Sequence, residues 1–374
     1  MSDKKVVVYG ASGYTGRLVC EYLREYNVAF IAAGRNEEKL TSSLEHNVAG
    51  VETADYEIKV VDHTVDALSE LFSDAAVVLN TVGPFSRYGH EVVQAALATG
   101  THYTDTSGEQ DWLISCAEQY GDDFAAAGLL VAPGIAQMYT IGEIAAQLCL
   151  EKPGLDTLDI AVFWGGSPTI ASTKTILVNA ATSQANYLEQ NAYVPFDPDQ
   201  GLVPLVVPGQ HELALSLPWG GTSHPVWFKN DPRVANCKAQ GGVFNAALMN
   251  GVPQIVAGAL EATKEMNDED RDAALTATAA QVMNQMPPRE NPRVNKSLDS
   301  VHASGPLGRA HCVIHGNQNY KQTGLLQAFS ALWLLQRGPL QVGFASGCQA
   351  FGHRELLGQL QAFGLVADPV LTVS

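Results

Sequence analysis

Glycines at the spacing G-x-x-G-x-x-G stand close to the start of the chain, at Gly10, Gly13 and Gly16. A glycine turn between a β-strand and an α-helix lets the backbone approach a diphosphate closely. The free N–H groups and the positive dipole end of the helix then hold the anion. A predicted strand ends at Tyr9 and a predicted helix begins at Thr15, so the turn has this placement. We therefore predict a dinucleotide site. Its expected phosphate contacts are Gly10, Ser12, Gly13, Tyr14, Thr15 and Gly16.

The residue after the second predicted strand selects between the two common dinucleotides. A site for NAD favours Asp or Glu here, because a carboxylate accepts hydrogen bonds from both ribose hydroxyls. This chain has Arg35, whose planar guanidinium can pair with a 2′-phosphate and stack on adenine. Lys39 follows one helical turn later and adds a second positive charge. We predict NADP(H) as the cofactor, with Gly34, Arg35, Asn36 and Lys39 at its adenosine end. The alternative is an exposed arginine at a helix start.

The fourth predicted strand runs into the loop 81–85. Ligands of open parallel sheets bind beyond the carboxyl ends of the strands, near the point where the strand order reverses. We expect this loop to line the path of the cofactor; a purely structural turn is the alternative. Its residues are Thr81, Val82, Gly83, Pro84 and Phe85.

Polar side chains are dense where the fifth predicted strand ends, and they are the candidates for proton transfer. His102, Tyr103, Asp105 and Glu109 are all able to donate, accept or shuttle protons. Two alternatives stay open: Asp105 caps a turn, and Tyr103 belongs to the core with a satisfied hydroxyl.

The elements that position these residues alternate between strand and helix, which predicts an α/β, Rossmann-type doubly wound parallel sheet over residues 1–135. The predicted strands are Val6–Tyr9, Phe30–Ala33, Ile58–Val61, Ala76–Leu79, His102–Thr104 and Leu129–Ala132. The predicted helices are Thr15–Glu25, Asn36–Leu44, Val65–Phe72, His90–Ala98 and Gln110–Ala126.

After Pro133-Gly134 the strict alternation ends, which predicts a second, α+β domain for substrate binding and dimerisation over residues 136–339. Residues 340–374 are expected to return to the first domain. The predicted strands are Leu158–Trp164, Val203–Val207, Glu212–Leu217 and Ala310–His315, and the predicted helices are Phe244–Met266, Asp268–Met286 and Thr323–Arg337.

Two further groups of side chains leave alternatives open. His302, His311 and His315 suggest a metal site, but no Cys or carboxylate has the spacing to complete it, so we predict no metal and rather polar residues of a substrate pocket. Aromatic residues near glycine-rich connectors either wall an apolar pocket or belong to the core. These are Trp164, Trp219, Trp227 and Phe228.

The composition excludes several classes of partner. The formal net charge of −17 disfavours binding to nucleic acid or to an anionic membrane surface. The 6 scattered cysteines include no C-x-x-C pair, as in a reduced cytoplasmic protein. Neither a secretory leader nor a run of about 18 apolar residues is evident. We expect a cytoplasmic protein with a small-molecule substrate.

Taken together, these motifs resemble the saccharopine dehydrogenase-like reductases, a group that includes saccharopine reductases, carboxynorspermidine dehydrogenases and trans-acting enoyl reductases. The resemblance rests on Val8-Tyr-Gly-Ala-Ser-Gly-Tyr-Thr-Gly16, Ala33-Gly-Arg35, Asn80-Thr-Val-Gly-Pro-Phe85 with Gly89, Gly100-Thr-His-Tyr-Thr-Asp105 with Gly108-Glu109, and Ala132-Pro-Gly134. It implies hydride transfer from NADPH to a C=N, C=O or activated C=C bond. It also implies a second domain that closes over the nicotinamide and makes the contact of a homodimer.

We therefore expect an NADP(H)-dependent oxidoreductase acting on a small metabolite. The alternative is a non-catalytic NADP-binding sensor or scaffold protein. Neither a G-x-S-x-G elbow nor a G-x-x-x-x-G-K-[ST] signature occurs, which disfavours serine hydrolase chemistry and ATP hydrolysis.

Overall fold

The computed structural model describes residues 5–211, 213–219, 222–283 and 285–374. Its strands in chain order are β1 (Lys5–Tyr9), β2 (Phe30–Gly34), β3 (Tyr56–Val60), β4 (Ala75–Asn80), β5 (His102–Asp105), β6 (Leu130–Ala132), β7 (Thr157–Trp164), β8 (Asn186–Glu189), β9 (Ala192–Pro195), β10 (Val203–Val206), β11 (Leu213–Ser216), β12 (Asn236–Val243), β13 (Lys296–Gly305), β14 (Gly308–Asn317), β15 (Gly343–Phe344) and β16 (Val370–Val373).

The helices come between these strands. They are α1 (Tyr14–Glu25), α2 (Glu37–Asn47), α3 (Val65–Phe72), α4 (Phe85–Thr99), α5 (Gln110–Gln119), α6 (Gly121–Ala126), α7 (Gln137–Leu150), α8 (Ile170–Thr182), α9 (His224–Phe228), α10 (Ala246–Thr263), α11 (Asp268–Val282), α12 (Asn319–Gln336), α13 (Gly347–Phe351) and α14 (His353–Ala362). None of the helices in the described part of the chain is long and apolar enough to cross a membrane.

The first structural unit is built on a parallel sheet with the strand order β15-β6-β5-β4-β1-β2-β3. Every strand pair in this sheet is parallel. The order reverses between β1 and β4, as in the doubly wound Rossmann fold. Val6, Val7 and Val8 of β1 are 0% exposed, because helices cover both faces of a sheet of this type. The Rossmann prediction is therefore confirmed.

Helix α12 belongs to the first unit, which contains Tyr320–Leu365 as well as the segments through Ser107 and Trp112–Thr140. The Gln327 amide, 0% exposed, donates to the carbonyls of Asp105 (2.7 Å) and Ile135 (2.9 Å). Its oxygen accepts from the Thr104 hydroxyl at 2.6 Å. The sequence analysis predicts that the second domain extends to residue 339. The observed boundary differs from this prediction because these hydrogen bonds join α12 to the carboxyl end of β5.

The second unit contains a mixed sheet with the strand order β16-β14-β13-β7-β12-β8-β9 and a separate hairpin of β10 and β11. Strands β7 and β12 are parallel, whereas β13 pairs antiparallel with both β7 and β14. The last strand, β16, pairs with β14, so Val366–Ser374 belongs to this unit. The sequence analysis predicts that all of residues 340–374 return to the first domain. Only the part through Leu365 does so.

Several elements differ from the sequence prediction. Helix α4 begins at Phe85 rather than at His90, and the segment Gln110–Ala126 forms two helices that are interrupted at Tyr120. The predicted strand 212–217 is observed as β11, and residue 212 lies outside the described residues. The sequence missed α7, α8, β12 and β13. Residues 140–150 of α7 are all buried, so this segment lacks the polar face on which helical periodicity depends.

Replacing Gln327 tests how α12 is held. We expect Gln327→Leu to lower the free energy of unfolding by about 3 kcal/mol, since the change leaves buried carbonyl groups without their donor. Urea unfolding followed by circular dichroism measures the loss. Gln336→Leu, at an exposed site on the same helix, is the matched control. Equal unfolding midpoints for the two variants would contradict this account of α12.

Candidate dinucleotide-binding site

The glycine turn between β1 and α1 is packed so closely that its glycines have no room for a β-carbon. A β-carbon on Gly16 would lie 2.4 Å from the Gly10 carbonyl oxygen. On Gly10, whose φ is +89°, it would lie 2.7 Å from the Thr81 hydroxyl oxygen. The amide of Gly10 donates to the carbonyl of Ala33 at 2.9 Å, which fixes the turn against β2. The chain therefore places bare backbone where the sequence predicts the diphosphate.

The start of α1 has no side-chain cap. Its N-cap residue is Gly13, which has no side chain to hydrogen bond to the first amides of the helix. The first turn also carries no Asp or Glu. Amides left without a capping side chain, at the positive end of a helix dipole, form the usual phosphate site of this fold. Ser12 and Thr15 are half-buried and Tyr14 is buried at this position, so the residues fit a dinucleotide diphosphate.

The expected adenosine contacts follow β2. Arg35, Asn36 and Lys39 are exposed at the start of α2, and Gly34 is the buried last residue of the strand. The Asn36 side chain caps the helix by accepting from the Lys39 amide at 2.7 Å. The cap holds the chain in a fixed turn after Arg35, which leaves the guanidinium at the carboxyl edge of the sheet. The positive charge that a 2′-phosphate requires is present at this edge.

A cluster next to Arg35 was missed by the sequence analysis. The Tyr9 hydroxyl lies 2.8 Å from Nδ1 of His63, and Nε2 of His63 lies 3.4 Å from Oε2 of Glu91. Burial raises the pKa of Tyr9 to about 12; the charge of Arg35 lowers this pKa and that of Glu91 raises it. The position of His63 just after β3 was the available signal, because that strand also ends at the binding edge.

The loop after β4 packs against the glycine turn. The Thr81 amide donates to the Tyr9 carbonyl at 2.9 Å, and the Val82 amide donates to the Asn80 side chain at 3.0 Å. Gly83 is half-buried, Pro84 is the N-cap of α4, and Phe85 is buried as the first residue of that helix. The structure thus brings Thr81 and Val82 next to Gly10, while Pro84 and Phe85 initiate α4.

The end of β5 is a buried hydrogen-bond network. Tyr103 and Asp105 are both 0% exposed, and the Tyr103 hydroxyl accepts from Asn80 at 3.0 Å and donates to Asp105 at 2.8 Å. Asp105 also accepts from the Trp112 indole at 2.7 Å and from the amides of Ser107 (2.8 Å) and Gly134 (2.9 Å). Burial raises the pKa of Asp105 to about 6, although these donors lower it. Burial and the charge of Asp105 raise the pKa of Tyr103 well above its usual value.

The remaining proton-transfer candidates are placed separately. His102 is half-buried and its Nδ1 accepts from the Leu130 amide at 3.0 Å, so the ring secures the neighbouring strand β6. Glu109 is 1% exposed and belongs to the second unit, within the segment Gly108–Asp111. That segment is held there by Gln110, whose amide donates to the carbonyl of Thr222 at 2.8 Å. A proton-transfer role for any of these residues stays a prediction.

The histidines considered for a metal site lie on the second sheet. His302 and His311 stack with their ring centroids 3.8 Å apart, and Nε2 of His311 lies 2.9 Å from the Ser300 hydroxyl. Among the described residues, no three His, Cys, Asp or Glu side chains come together in a way that could hold a metal ion.

The aromatic residues fall into two groups. Trp164 and Trp219 line an apolar cavity of about 60 Å³ in the second unit, together with residues of α8 and α10. Trp227 and Phe228 are only 2% and 1% exposed and belong to the core. Trp164 and Trp219 therefore wall an apolar pocket, whereas Trp227 and Phe228 are core residues. Residues 220 and 221, which follow Trp219, lie outside the described residues.

Comparison with protein families divides the chain into two regions. Residues 6–131 match the saccharopine dehydrogenase NADP binding domain, and residues 140–374 match a family of unknown function, DUF5938. The first match covers the glycine turn, Arg35 and the loop 81–85. It confirms NADP as the cofactor of the domain and supports the resemblance drawn from the sequence.

Individual proteins show the same pattern. A lipid droplet localized protein of Caenorhabditis elegans is 37% identical over 138 residues, which are 35% of this chain and 32% of that protein. A trans-acting enoyl reductase of Mycobacterium leprae is 34% identical over 126 residues, 33% of this chain and 30% of that protein. The matched part of the chain thus spans about a third of the length of these relatives.

A solved structure matches the fold along the chain. Apo saccharopine dehydrogenase (L-Glu forming) from Saccharomyces cerevisiae superimposes with a TM-score of 0.64, covering 99% of this chain and 100% of its own, at 11% sequence identity. This similarity shows the fold alone.

The glycine turn between β1 and α1, the predicted phosphate cradle, can be tested by adding a single methyl group. A β-carbon on Gly13 would lie 3.2 Å from the Gly10 carbonyl oxygen, tight enough to displace the turn by a few tenths of an ångström. We expect Gly13→Ala to raise the Kd for NADPH about tenfold, a loss of about 1.4 kcal/mol. Gly258→Ala in α10, where a β-carbon has nothing within 4 Å, is the control. Fluorescence titration measures both, and unchanged affinity in Gly13→Ala would contradict the predicted cradle.

The raised pKa of Asp105 predicts a pH dependence of stability. The folded protein holds a proton on this carboxyl more tightly than the unfolded chain does, so the extra stability is present below about pH 4. It is lost as the pH rises through about 6. We expect wild type to lose about 3 kcal/mol of stability relative to Asp105→Asn between pH 4 and pH 7. Urea unfolding of both proteins over this range measures the change. A difference that stays constant over this range would show that Asp105 has an ordinary pKa.

Proposed function

We propose that this chain, which belongs to the DUF5938 family through residues 140–374, is an NADP(H)-dependent oxidoreductase. In this proposal it transfers hydride to a C=N, C=O or activated C=C bond of a small metabolite. The observation that carries the proposal is that the turn between β1 and α1 has no room for β-carbons at Gly10 and Gly16. This turn lies in the region that matches the saccharopine dehydrogenase NADP binding domain.

Each part of the site has a defined task in this proposal. The amides at the start of α1 bind the diphosphate, and the Arg35 guanidinium binds the 2′-phosphate. Thr81 and Val82 orient the cofactor, since they pack against the turn and end at the same edge of the sheet. When bound, the reduced nicotinamide supplies the hydride.

The class of bond reduced is the less specific part of the proposal. The Mycobacterium leprae relative is named a trans-acting enoyl reductase, which favours an activated C=C bond as the first substrate class to test. Imines and carbonyl compounds belong in the same panel, because hydride chemistry of this kind also reduces C=N and C=O bonds. We further propose that the chain forms a homodimer, which analytical ultracentrifugation would test.

Turnover distinguishes an enzyme from a cofactor sensor. We expect NADPH oxidation, followed by the loss of absorbance of the reduced nicotinamide, with at least one class among enoyl thioesters, imines and ketones. The same reactions with Gly13→Ala give the background of a protein with an impaired site. NADPH binding without turnover on any class would overturn the proposed enzyme and leave the sensor.

Arg35 should determine the choice of cofactor. We expect Arg35→Ala to raise the Kd for NADPH about 10- to 100-fold, the size of a charge-assisted hydrogen-bonded pair, and to leave the Kd for NADH unchanged. Calorimetric titration of both cofactors provides the measurement.

Arg293→Ala is the matched control, because Arg293 is an exposed arginine of the second unit. Equal affinities of wild type for NADPH and NADH would show that Arg35 does not read the 2′-phosphate.

A further inference from the structure

An imidazole emerges at the same edge of the first sheet as Arg35. Strands β2 and β3 are parallel neighbours, so the residues that follow them emerge at the same edge. Arg35 follows β2, and His63 follows β3 after two intervening residues, Val61 and Asp62. The His63 side chain is 18% exposed, so it is mostly enclosed and still accessible from the edge.

The ring of His63 is held from several sides. Its plane is nearly parallel to that of the Tyr9 ring, at an angle of 8° with ring centroids 6.0 Å apart, and Tyr88 of α4 packs edge-on at 5.4 Å. Its Nδ1 faces the Tyr9 hydroxyl at 2.8 Å, and its Nε2 faces the Glu91 carboxylate of α4 at 3.4 Å. A side chain fixed in this way has already lost its rotational freedom before any ligand arrives.

Groups of both signs lie around this ring. Arg35 and Glu91 act on the same Tyr9 hydroxyl with opposite signs, and Tyr9 itself stays uncharged because burial raises its pKa to about 12. A phosphate dianion beside this hydroxyl therefore meets the positive charge of Arg35 and the negative charge of Glu91. Protonation of the imidazole adds a second positive group, which the dianion stabilises. Imidazoles exchange this proton between about pH 5 and 8, the range in which cells operate.

We infer that His63 is a specificity-determining residue of the cofactor site, which takes up a proton when NADP(H) binds and serves with Arg35 as a further cation for the 2′-phosphate. The inference rests on the proposed function, since it assigns a residue to the same cofactor site. Tyr9 and Glu91 are positioning residues in this arrangement, because they contact the imidazole. NADH carries no 2′-phosphate, so its binding requires no proton at His63.

Two cofactor fragments isolate the effect from catalysis. Adenosine 2′,5′-bisphosphate carries the 2′-phosphate and adenosine 5′-monophosphate does not. Calorimetry near pH 7.5 in two buffers of different ionisation enthalpy gives both the Kd and the number of protons exchanged. At this pH the 2′-phosphate is already a dianion, since its second pKa is about 6. We expect wild type to take up protons with the bisphosphate and not with the monophosphate.

Substitution of the imidazole then locates the proton. We expect His63→Gln to abolish the proton uptake and to raise the Kd for the bisphosphate about tenfold, equivalent to one pKa unit of coupling. The Kd for the monophosphate should stay within about twofold of wild type. His46→Gln is the matched control, because His46 is an exposed histidine of α2 that bonds to the carbonyl of Ser42 in its own helix. Tyr9→Phe should lower the uptake partially, since the imidazole loses its hydrogen bond to the Tyr9 hydroxyl and keeps its Glu91 partner.

The outcomes separate this inference from the proposed function. Proton uptake in His63→Gln equal to that of wild type would overturn the role of His63, and so would an equal loss of affinity for both fragments, which would indicate a role in shape alone. Either result leaves the NADP site intact. Failure of wild type to bind the bisphosphate would overturn both the inference and the proposed function.

Discussion

The close contact between the Gly10 carbonyl and Gly16 is the constraint on which the rest of the first unit depends. With only a hydrogen at Gly16, α1 begins directly against the turn that leaves β1. A β-carbon 2.4 Å from that carbonyl would push the helix away from the sheet. The amides of its first turn would then no longer point along the carboxyl edge, where ligands of this fold bind. The loop after β4 packs against the same turn at Gly10, where a β-carbon would lie 2.7 Å from the Thr81 hydroxyl oxygen.

The buried carboxylate of Asp105 also holds the carboxyl edge of the sheet together. Two carboxylate oxygens can accept more hydrogen bonds than any neutral side chain of this size, and here they collect the Tyr103 hydroxyl, the Trp112 indole and the amides of Ser107 and Gly134. Tyr103 lies in β5 itself, and the other three donors come from the chain segments that follow β5 and β6. The raised pKa of Asp105 shows that this arrangement costs stability when the carboxyl is ionised. The polar density at the end of β5 thus has an architectural role, which a sequence pattern cannot distinguish from proton-transfer chemistry, and the proton-transfer role stays a prediction.

Local patterns predicted the parts of the site that lie within one strand-turn-helix unit. The glycine spacing, Arg35 after β2 and the loop 81–85 each depend on a few adjacent residues, and their placement at one edge follows from the parallel order of the strands. The assignment of α12 to the first unit was missed because its hydrogen bond from Thr104 to Gln327 spans 223 positions in the chain. His63 was missed for the same reason, since it meets Tyr9 only when β1, β2 and β3 assemble.

An anionic cofactor on a chain with a formal net charge of −17 requires a strictly local attraction. Charges on the outer surface act weakly over distances beyond about 8 Å at physiological ionic strength, so the groups at the binding edge decide the affinity. Tyr9 connects the two ends of that edge. Its carbonyl accepts from the Thr81 amide beside the glycine turn, while its hydroxyl lies 2.8 Å from Nδ1 of His63 after β3. A displacement of the phosphate turn would therefore also move the hydroxyl that orients the imidazole. In the proposed site, diphosphate binding and recognition of the 2′-phosphate would therefore be linked through this one buried residue.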